Sequence, residues 1–392
     1  MAALVSVRAS GGGWLRRMAA VVHPGGAAGL STSAVALRAD PQVAEGAGPP
    51  TPQPRQGMDW GSLRFDESHI GETMFKSTWR AGGEWEGDTQ AFGPLTLPPT
   101  AHVLNYGQSI FEGLKAYRTA KGRIVLFRPD SNAARMATGA SRMMMPSVPQ
   151  DFFMNAVSKT VEANADLVPP MGAGSLYLRP LLIGSGSVLG VKPATEYTFL
   201  VYCVAVGPYF KGGKMAPIHL KVAEGTHRAV AGGTGSTKCA GNYASGLAHT
   251  VAAQAAGFND VVYLDAATGQ NLEEVSACNV FSVKGRTIQT PPLSGTILPG
   301  VTRDSVLQLA RARGYEVAER PLPVRTALTS DEMFTSGTAV VVAPVASLSY
   351  QGAKTVFNGG DAGPVTQELY HALVSIQNEQ ADDPFGWVHP VC

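Results

Sequence analysis

Arg228-Ala-Val-Ala-Gly-Gly-Thr-Gly-Ser-Thr-Lys238-Cys-Ala-Gly-Asn-Tyr243 sets one lysine between a Gly-Gly-Thr-Gly turn and a Gly-Asn-Tyr turn. Glycines permit tight turns and close backbone approach. A lysine held that way is a candidate imine-forming amine, because such an amine depends on fixed position and a lowered pKa. A loop lysine that merely neighbours glycines satisfies the same residues, and the stretch alone does not separate the two.

The 392 residues suffice for two domains once a tail is set aside. Hydrophobic residues at 44% and charged residues at 16% describe a soluble globular chain. A net charge of +1 gives no footprint for nucleic acid, and no apolar run reaches membrane-spanning length. Cys203, Cys239, Cys278 and Cys392 form neither a C-x-x-C pair nor a metal spacing, so reduced thiols and no metal site are expected. Arg8, Arg16, Arg17 and Arg38 precede the first acid, Asp40, among alanines, glycines and serines. That is the composition of an organellar transit peptide, and it also suits an alanine-rich extension with no address. The stretch Gly46 to Gly57, with four prolines, reads as a linker. Residues 1–57 are therefore set apart from a smaller α/β domain at 58–206, a connecting loop at 207–215 and a larger α/β domain at 216–392.

Along the folded part, Phe75 and Trp79 are expected to tie the first strand to a core, and 88–99 is turn-rich. Tyr106 and Phe111 suit core packing or a pocket wall. Ile124 to Phe127 reads as a strand and Ser131 to Met143 as a helix. Arg135 near that helix start implies either a bound anion or a solvated surface arginine. Gly174 to Ile183 alternates, putting Tyr177 and Arg179 on one face, which is a lined cavity or the wet face of an edge strand. Gly207 to Lys214 breaks the pattern and can carry Tyr209 over a pocket. Ser245 to Gly257 has helical spacing, with Leu247 and Val251 as expected core positions. Glu273 and Glu274 suit one inward carboxylate or a solvated turn pair. Thr302 is expected to cap a helix over 303–313 whose free N–H groups can hold phosphate, and Thr338 can complete that cradle. Val365 to Gln377 is a terminal helix with Leu369, Leu373 and Ile376 inward.

One framed lysine, two anion-binding turns and a candidate interior acid would all serve a phosphorylated aldehyde on a lysine. Six segments carry a specific resemblance: 105–118, 174–184, 232–243, 272–281, 295–303 and 336–344. In this order they resemble the branched-chain amino-acid aminotransferases, fold-type IV pyridoxal-phosphate enzymes, and are closest to the plant members. The resemblance runs from about Asp59 to about Pro384.

It implies a two-domain α/β fold with the cofactor, pyridoxal 5'-phosphate, between the domains and covalently held by Lys238. It implies that Lys238 moves the substrate α-proton, that Glu274 rather than Glu273 pairs with the pyridine nitrogen, and that Tyr243 bonds the phenolic oxygen. Arg135, Val301, Thr302 and Thr338 match the phosphate site. Tyr106, Phe111, Tyr177, Arg179, Tyr209, Thr338 and Ala339 match the substrate pocket, with Arg179 serving the distal carboxylate of glutamate through Tyr106. Leucine, isoleucine and valine are the implied amino donors and 2-oxoglutarate the acceptor, since a hydrophobic pocket separates single methylenes only modestly. The resemblance further implies a homodimer in which a loop of one subunit helps close the other's pocket. Mammalian members carry a Cys-x-x-Cys pair where this chain has Val340 and Ala343, so a thiol switch there is absent. Within the same fold a D-amino-acid aminotransferase or an aminodeoxychorismate lyase is the alternative, and outside it an inactive scaffold that binds a phosphate compound. The spaced arginines favour a mitochondrial address over a chloroplast one.

Overall fold

Two antiparallel-rich sheets organise the chain. The computed structural model describes residues 51–64, 67–210 and 214–392. The expected transit segment, through residue 50, lies outside the described residues.

The first sheet has eight strands. Its centre is the long pairing of Ser175–Gly184 with Glu196–Val206, flanked on one side by Leu114–Arg118 and on the other by Thr73–Arg80. Alternation in these strands sends one set of side chains beneath the helices Pro129–Arg142 and Gln150–Ala163. Phe75, Phe153 and Phe199 are fully buried there, so the expected anchoring role of Phe75 holds, and the Trp79 ring lies 5.9 Å from that of Tyr197 at a tilt of 59°. The last strand, Val388–Pro390, returns to pair with Ile124–Phe127. Glu86–Ala91, expected as part of a turn-rich region, is instead an edge strand on Thr73–Arg80. All six of its residues are exposed, so no buried side chain leaves an alternating signal.

The second sheet has ten strands. Its run Asn279–Lys284, Glu332–Gly337, Val341–Tyr350, Ile218–Ala223, Asp260–Leu264, Asn271–Val275 closes on itself, because Glu274 pairs with Asn279. The closure makes a small barrel filled by Leu220, Val262, Leu272, Val280, Met333 and Val345. Full closure removes the sheet edges along that run. The helix Val301–Ala312 begins two residues earlier than the expected 303 start, with Gly300 rather than Thr302 as its cap.

The terminal helix Pro364–Gln377 buries Leu369, Leu373 and Ile376 as expected. Its start is capped from another element: buried Glu332 accepts from Val365 N and Thr366 N, each at 3.0 Å. A carboxylate at a helix N-terminus satisfies orphan N–H groups and complements the dipole. Glu332→Ala is expected to lower stability by about 2 kcal/mol, read as a fall in the thermal midpoint, while Glu332→Gln loses less.

Candidate active site

Lys238 is placed by main-chain pairing with the first sheet. Phe111 N donates to Lys238 O at 3.0 Å and Ala240 N to Ser109 O at 3.3 Å. The lysine segment thus adds to the strand Ser109–Phe111. The flanking turns are clamped by Asn242, whose amide donates to Thr234 O at 2.7 Å and Thr237 O at 2.9 Å. Gly235 explains why glycine is required here, since a Cβ would sit 2.2 Å from Thr296 O. A surface lysine would need none of these restraints.

The Lys238 amine donates to the Tyr243 phenol oxygen at 2.8 Å and lies 4.8 Å from the Phe111 ring centroid. Burial, with the positive charges of Arg135 and Arg179 outweighing Glu112 and Glu274, brings its pKa down to about 7. Burial pushes the Tyr243 phenol above its ordinary value, so the hydroxyl keeps its proton. Lys238 therefore gives up its proton far more readily than an ordinary lysine.

Glu273 and Glu274 are both buried and both lie in the strand Asn271–Val275, not in a turn. They sit where the pairing of that strand with Asp260–Leu264 shifts register, and they take different partners. Glu273 accepts from the Thr296 hydroxyl. Glu274 takes Arg228 Nη1 at 2.6 Å and Leu298 N at 3.1 Å. Burial raises Glu274 to about 7, opposed by Arg228 and the Leu298 N–H.

Arg135 lies on the helix Pro129–Arg142 and makes a two-pronged bond to Glu112, at 2.8 and 2.6 Å, with Nη1 donating to Pro299 O at 3.0 Å. Its side chain is 10% exposed, so it is neither a solvated surface group nor free of protein partners. Pro299 precedes the helix Val301–Ala312, whose first turn receives no side-chain cap. Gly300 cannot carry a side chain, since a Cβ would meet Asn279 Oδ1 at 2.1 Å. The N–H end at Val301 and Thr302 is thereby kept clear for an anion. Thr338 donates from its hydroxyl to Gly113 O at 3.1 Å, and Thr338, Val301 and Thr302 line one small cavity.

On the first sheet, Arg179 Nη2 donates to Tyr177 OH at 3.1 Å, and its guanidinium carbon lies 4.7 Å from the Phe111 ring centroid. Phe111 in turn lies 4.9 Å from Tyr243. Tyr177 and Arg179 line one cavity, and their strand is paired on both sides, so of the two alternatives the edge strand is excluded. Arg179 Nε is buried with no hydrogen-bond partner. Tyr209 and Ala339 line a neighbouring cavity.

Tyr106 does not join this cluster. It ends the helix His102–Tyr106 and donates to Leu189 O, so within one chain the partner of Arg179 is Tyr177, not Tyr106. Leu247 and Val251 depart from expectation as well. Each is 62% exposed, because the helix Leu247–Ala255 buries only Ala253. Two residues that hold the site were not singled out from sequence. Arg228 opens the lysine stretch, but its partner is 46 residues away. Glu112 is fully buried, and its only trace in sequence is an acid flanked by aromatic and apolar residues.

The donor set suits pyridoxal phosphate. A buried amine near neutrality meets the aldehyde, and a buried carboxylate held by Arg228 suits a ring N–H. An uncapped helix start with Arg135 suits the phosphate, and Tyr243 stands beside the amine for the phenolic oxygen.

A family model described as amino-transferase class IV matches residues 109–348. Branched-chain amino acid aminotransferase 2, chloroplastic, of Humulus lupulus is 54% identical over 331 residues, covering 84% of this chain and 81% of that protein. Branched-chain amino acid aminotransferase 1, mitochondrial, of the same plant is 46% identical over 331 residues, covering 84% of each chain. A solved T.th. branched-chain amino acid aminotransferase complexed with N-(5'-phosphopyridoxyl)-L-glutamate superposes with a TM-score of 0.70 at 27% identity, over 83% of this chain and 100% of that one. With the barrel, the framed lysine and the arginine-held carboxylate all in place, the chain belongs to the branched-chain amino-acid aminotransferase family of class IV, with the two-domain α/β architecture of fold-type IV pyridoxal-phosphate enzymes.

Proposed function

We infer that the protein catalyses reversible transfer of the amino group between L-leucine, L-isoleucine or L-valine and 2-oxoglutarate, giving the branched-chain 2-oxo acid and L-glutamate. The observation that carries this is a buried lysine amine bonded to the Tyr243 phenol at 2.8 Å, with a buried carboxylate held by arginine on the neighbouring barrel strand, in a chain 54% identical to a branched-chain aminotransferase. The cofactor is pyridoxal 5'-phosphate, which when bound supplies an aldehyde that accepts the amino group and a ring that accepts the electron pair.

The chain's own residues do the rest. Lys238 would tether the cofactor and, when released, its amine would take the substrate α-proton and return it. Glu274, kept in place by Arg228 and Leu298 N, would present an oxygen to the ring nitrogen. Tyr243 would donate to the phenolic oxygen. Arg135, Thr338 and the N–H groups of Val301 and Thr302 would hold the phosphate. Phe111, Tyr177 and Thr338, with Tyr209 and Ala339 at the edge of the neighbouring cavity, would supply the contacts for aliphatic side chains, and Arg179 would serve the distal carboxylate of glutamate.

The working form is proposed to be a homodimer. Leu247 and Val251 at 62%, Leu189 at 76% and Val191 at 86% exposure leave apolar side chains that a second copy would cover. Tyr106, bonded to the Leu189 carbonyl, would then be presented with Leu189 and Val191 to the partner's pocket. The mitochondrial reading of the N-terminal segment is retained over the chloroplast one. Relatives are named for both compartments, and imaging of residues 1–60 fused to a fluorescent protein decides between them.

Purified enzyme is expected to convert L-leucine and 2-oxoglutarate to glutamate, with Lys238→Ala losing both this activity and borohydride-stable cofactor attachment. No turnover of branched-chain L-amino acids by the wild type would defeat the assignment. The pH dependence follows from the lysine. Because burial lowers its pKa to about 7, capture of pyridoxal phosphate by apoprotein should quicken about tenfold per pH unit below 7 and level off above it. An ordinary lysine would keep quickening toward pH 10. Leu247→Asp combined with Val251→Asp is expected to give a monomer by light scattering, with activity reduced at least about tenfold if the partner completes the pocket.

A further inference from the structure

Behind the turn that bears Thr338 and Ala339 lies a cavity of about 370 Å3, of which the scheme above uses only the edge at Tyr209 and Ala339. None of Lys238, Tyr243, Glu274, Arg135, Phe111 or Arg179 lines it, and it shares only Tyr209 and Ala339 with the expected substrate wall. Among its described lining residues Lys115 is the one charged group. The strand Leu114–Arg118 carries it, opposite Tyr177 in register. Its side chain is deeply buried, the residue being 7% exposed.

An ammonium in such a place normally has a carboxylate partner, because desolvating an unpaired charge costs several kcal/mol. Lys115 has none among the described residues. Its amine donates to the Ala339 carbonyl at 2.9 Å, which leaves further N–H donors of the ammonium to be satisfied. The other polar side chains lining the cavity are the phenols of Tyr117, Tyr209 and Tyr370, the Ser175 hydroxyl and the amides of Gln377 and Asn378. All of them can donate, and none is an acid. Val340, Val341 and Val374 supply an apolar wall. The cavity is thus cationic and donor-rich at one point and aliphatic elsewhere.

We propose that this cavity is a second carboxylate site, which takes a short aliphatic carboxylate with its charged end on Lys115. The chemical class includes the branched-chain 2-oxo acids that the inferred reaction consumes and releases, and that link rests on the function proposed above. Occupancy would be felt at the substrate turn, because Lys115 holds the Ala339 carbonyl. The next residues are already under constraint, since Val341 has φ of 60°, a conformation costly for a β-branched side chain.

The test uses apoprotein reconstituted with preformed N-(5'-phosphopyridoxyl)-L-glutamate, so that this adduct fills the active site. Failure of that compound to bind would count against the proposed function, not against this site. The loaded enzyme is titrated calorimetrically with 4-methylpentanoate and with acetate. One saturable site per chain is expected, with 4-methylpentanoate the tighter ligand. Affinity should fall at least about tenfold in Lys115→Met. It should also fall roughly thirtyfold from pH 7 to pH 9.5 in the wild type, since burial alone brings the Lys115 amine to about 8. The three lining phenols are pushed above their ordinary value by burial and keep their protons over that range. The pH series stands by itself should Lys115→Met not fold. No binding to the loaded enzyme, displacement of the adduct by 4-methylpentanoate, affinity unchanged in Lys115→Met, or affinity flat with pH would each overturn the proposal.

Discussion

The ion pair between Arg228 and Glu274, at 2.6 Å with both side chains under 5% exposed, is the constraint on which the rest of the site depends. Arg228 begins the lysine stretch. Glu274 lies at the seam where the barrel closes, paired with Asn279, and also takes the Leu298 N–H. One interaction therefore joins the lysine loop, the barrel and the segment leading to the helix Val301–Ala312. Removing either partner would strand a charge out of water, a much larger penalty than the net worth of an exposed pair. A charge held at this cost is suited to a partner that arrives later, such as a ring N–H.

A second buried pair, Arg135 with Glu112, repeats the device on the other lobe. Glu112 is also held by Asn132 at 2.8 Å, so the arginine is aimed from a fixed base. With charges of both signs around it, the Lys238 amine feels electrostatic effects that partly cancel, and burial remains the largest cause of its lowered pKa. Changing one of these charges would alter the balance at the lysine as well as the contact it makes. The network acts as a unit.

Some readings fail because two physical situations share one sequence signature. Leu247 and Val251 stand four apart on a helix, the spacing of a core face. That spacing does not say whether the face is covered by the chain itself, and here both residues are 62% exposed. Thr302 is an acceptable cap by residue type. Gly300 caps instead because Asn279 bonds Leu298 O and crowds Gly300, a contact set by strand pairing far from the helix. Glu86–Ala91 left no pattern because nothing in it is buried.

Local chemistry was enough to mark the lysine loop, the strand bearing Tyr177 and Arg179, the terminal helix and the small-residue turn at Thr338, because periodicity and turn residues act over a few positions. Recognition of the six segments in order gave the family and its roles for Glu274 and Arg135. What only the tertiary structure decided was pairing across distance: Arg228 with Glu274, Glu112 with Arg135, Phe111 N with Lys238 O, and Lys115 facing a cavity without an acid. These depend on which strands meet and on how much water they exclude. A one-dimensional pattern carries neither, since desolvation and Coulomb energy follow separation in space and not separation along the chain.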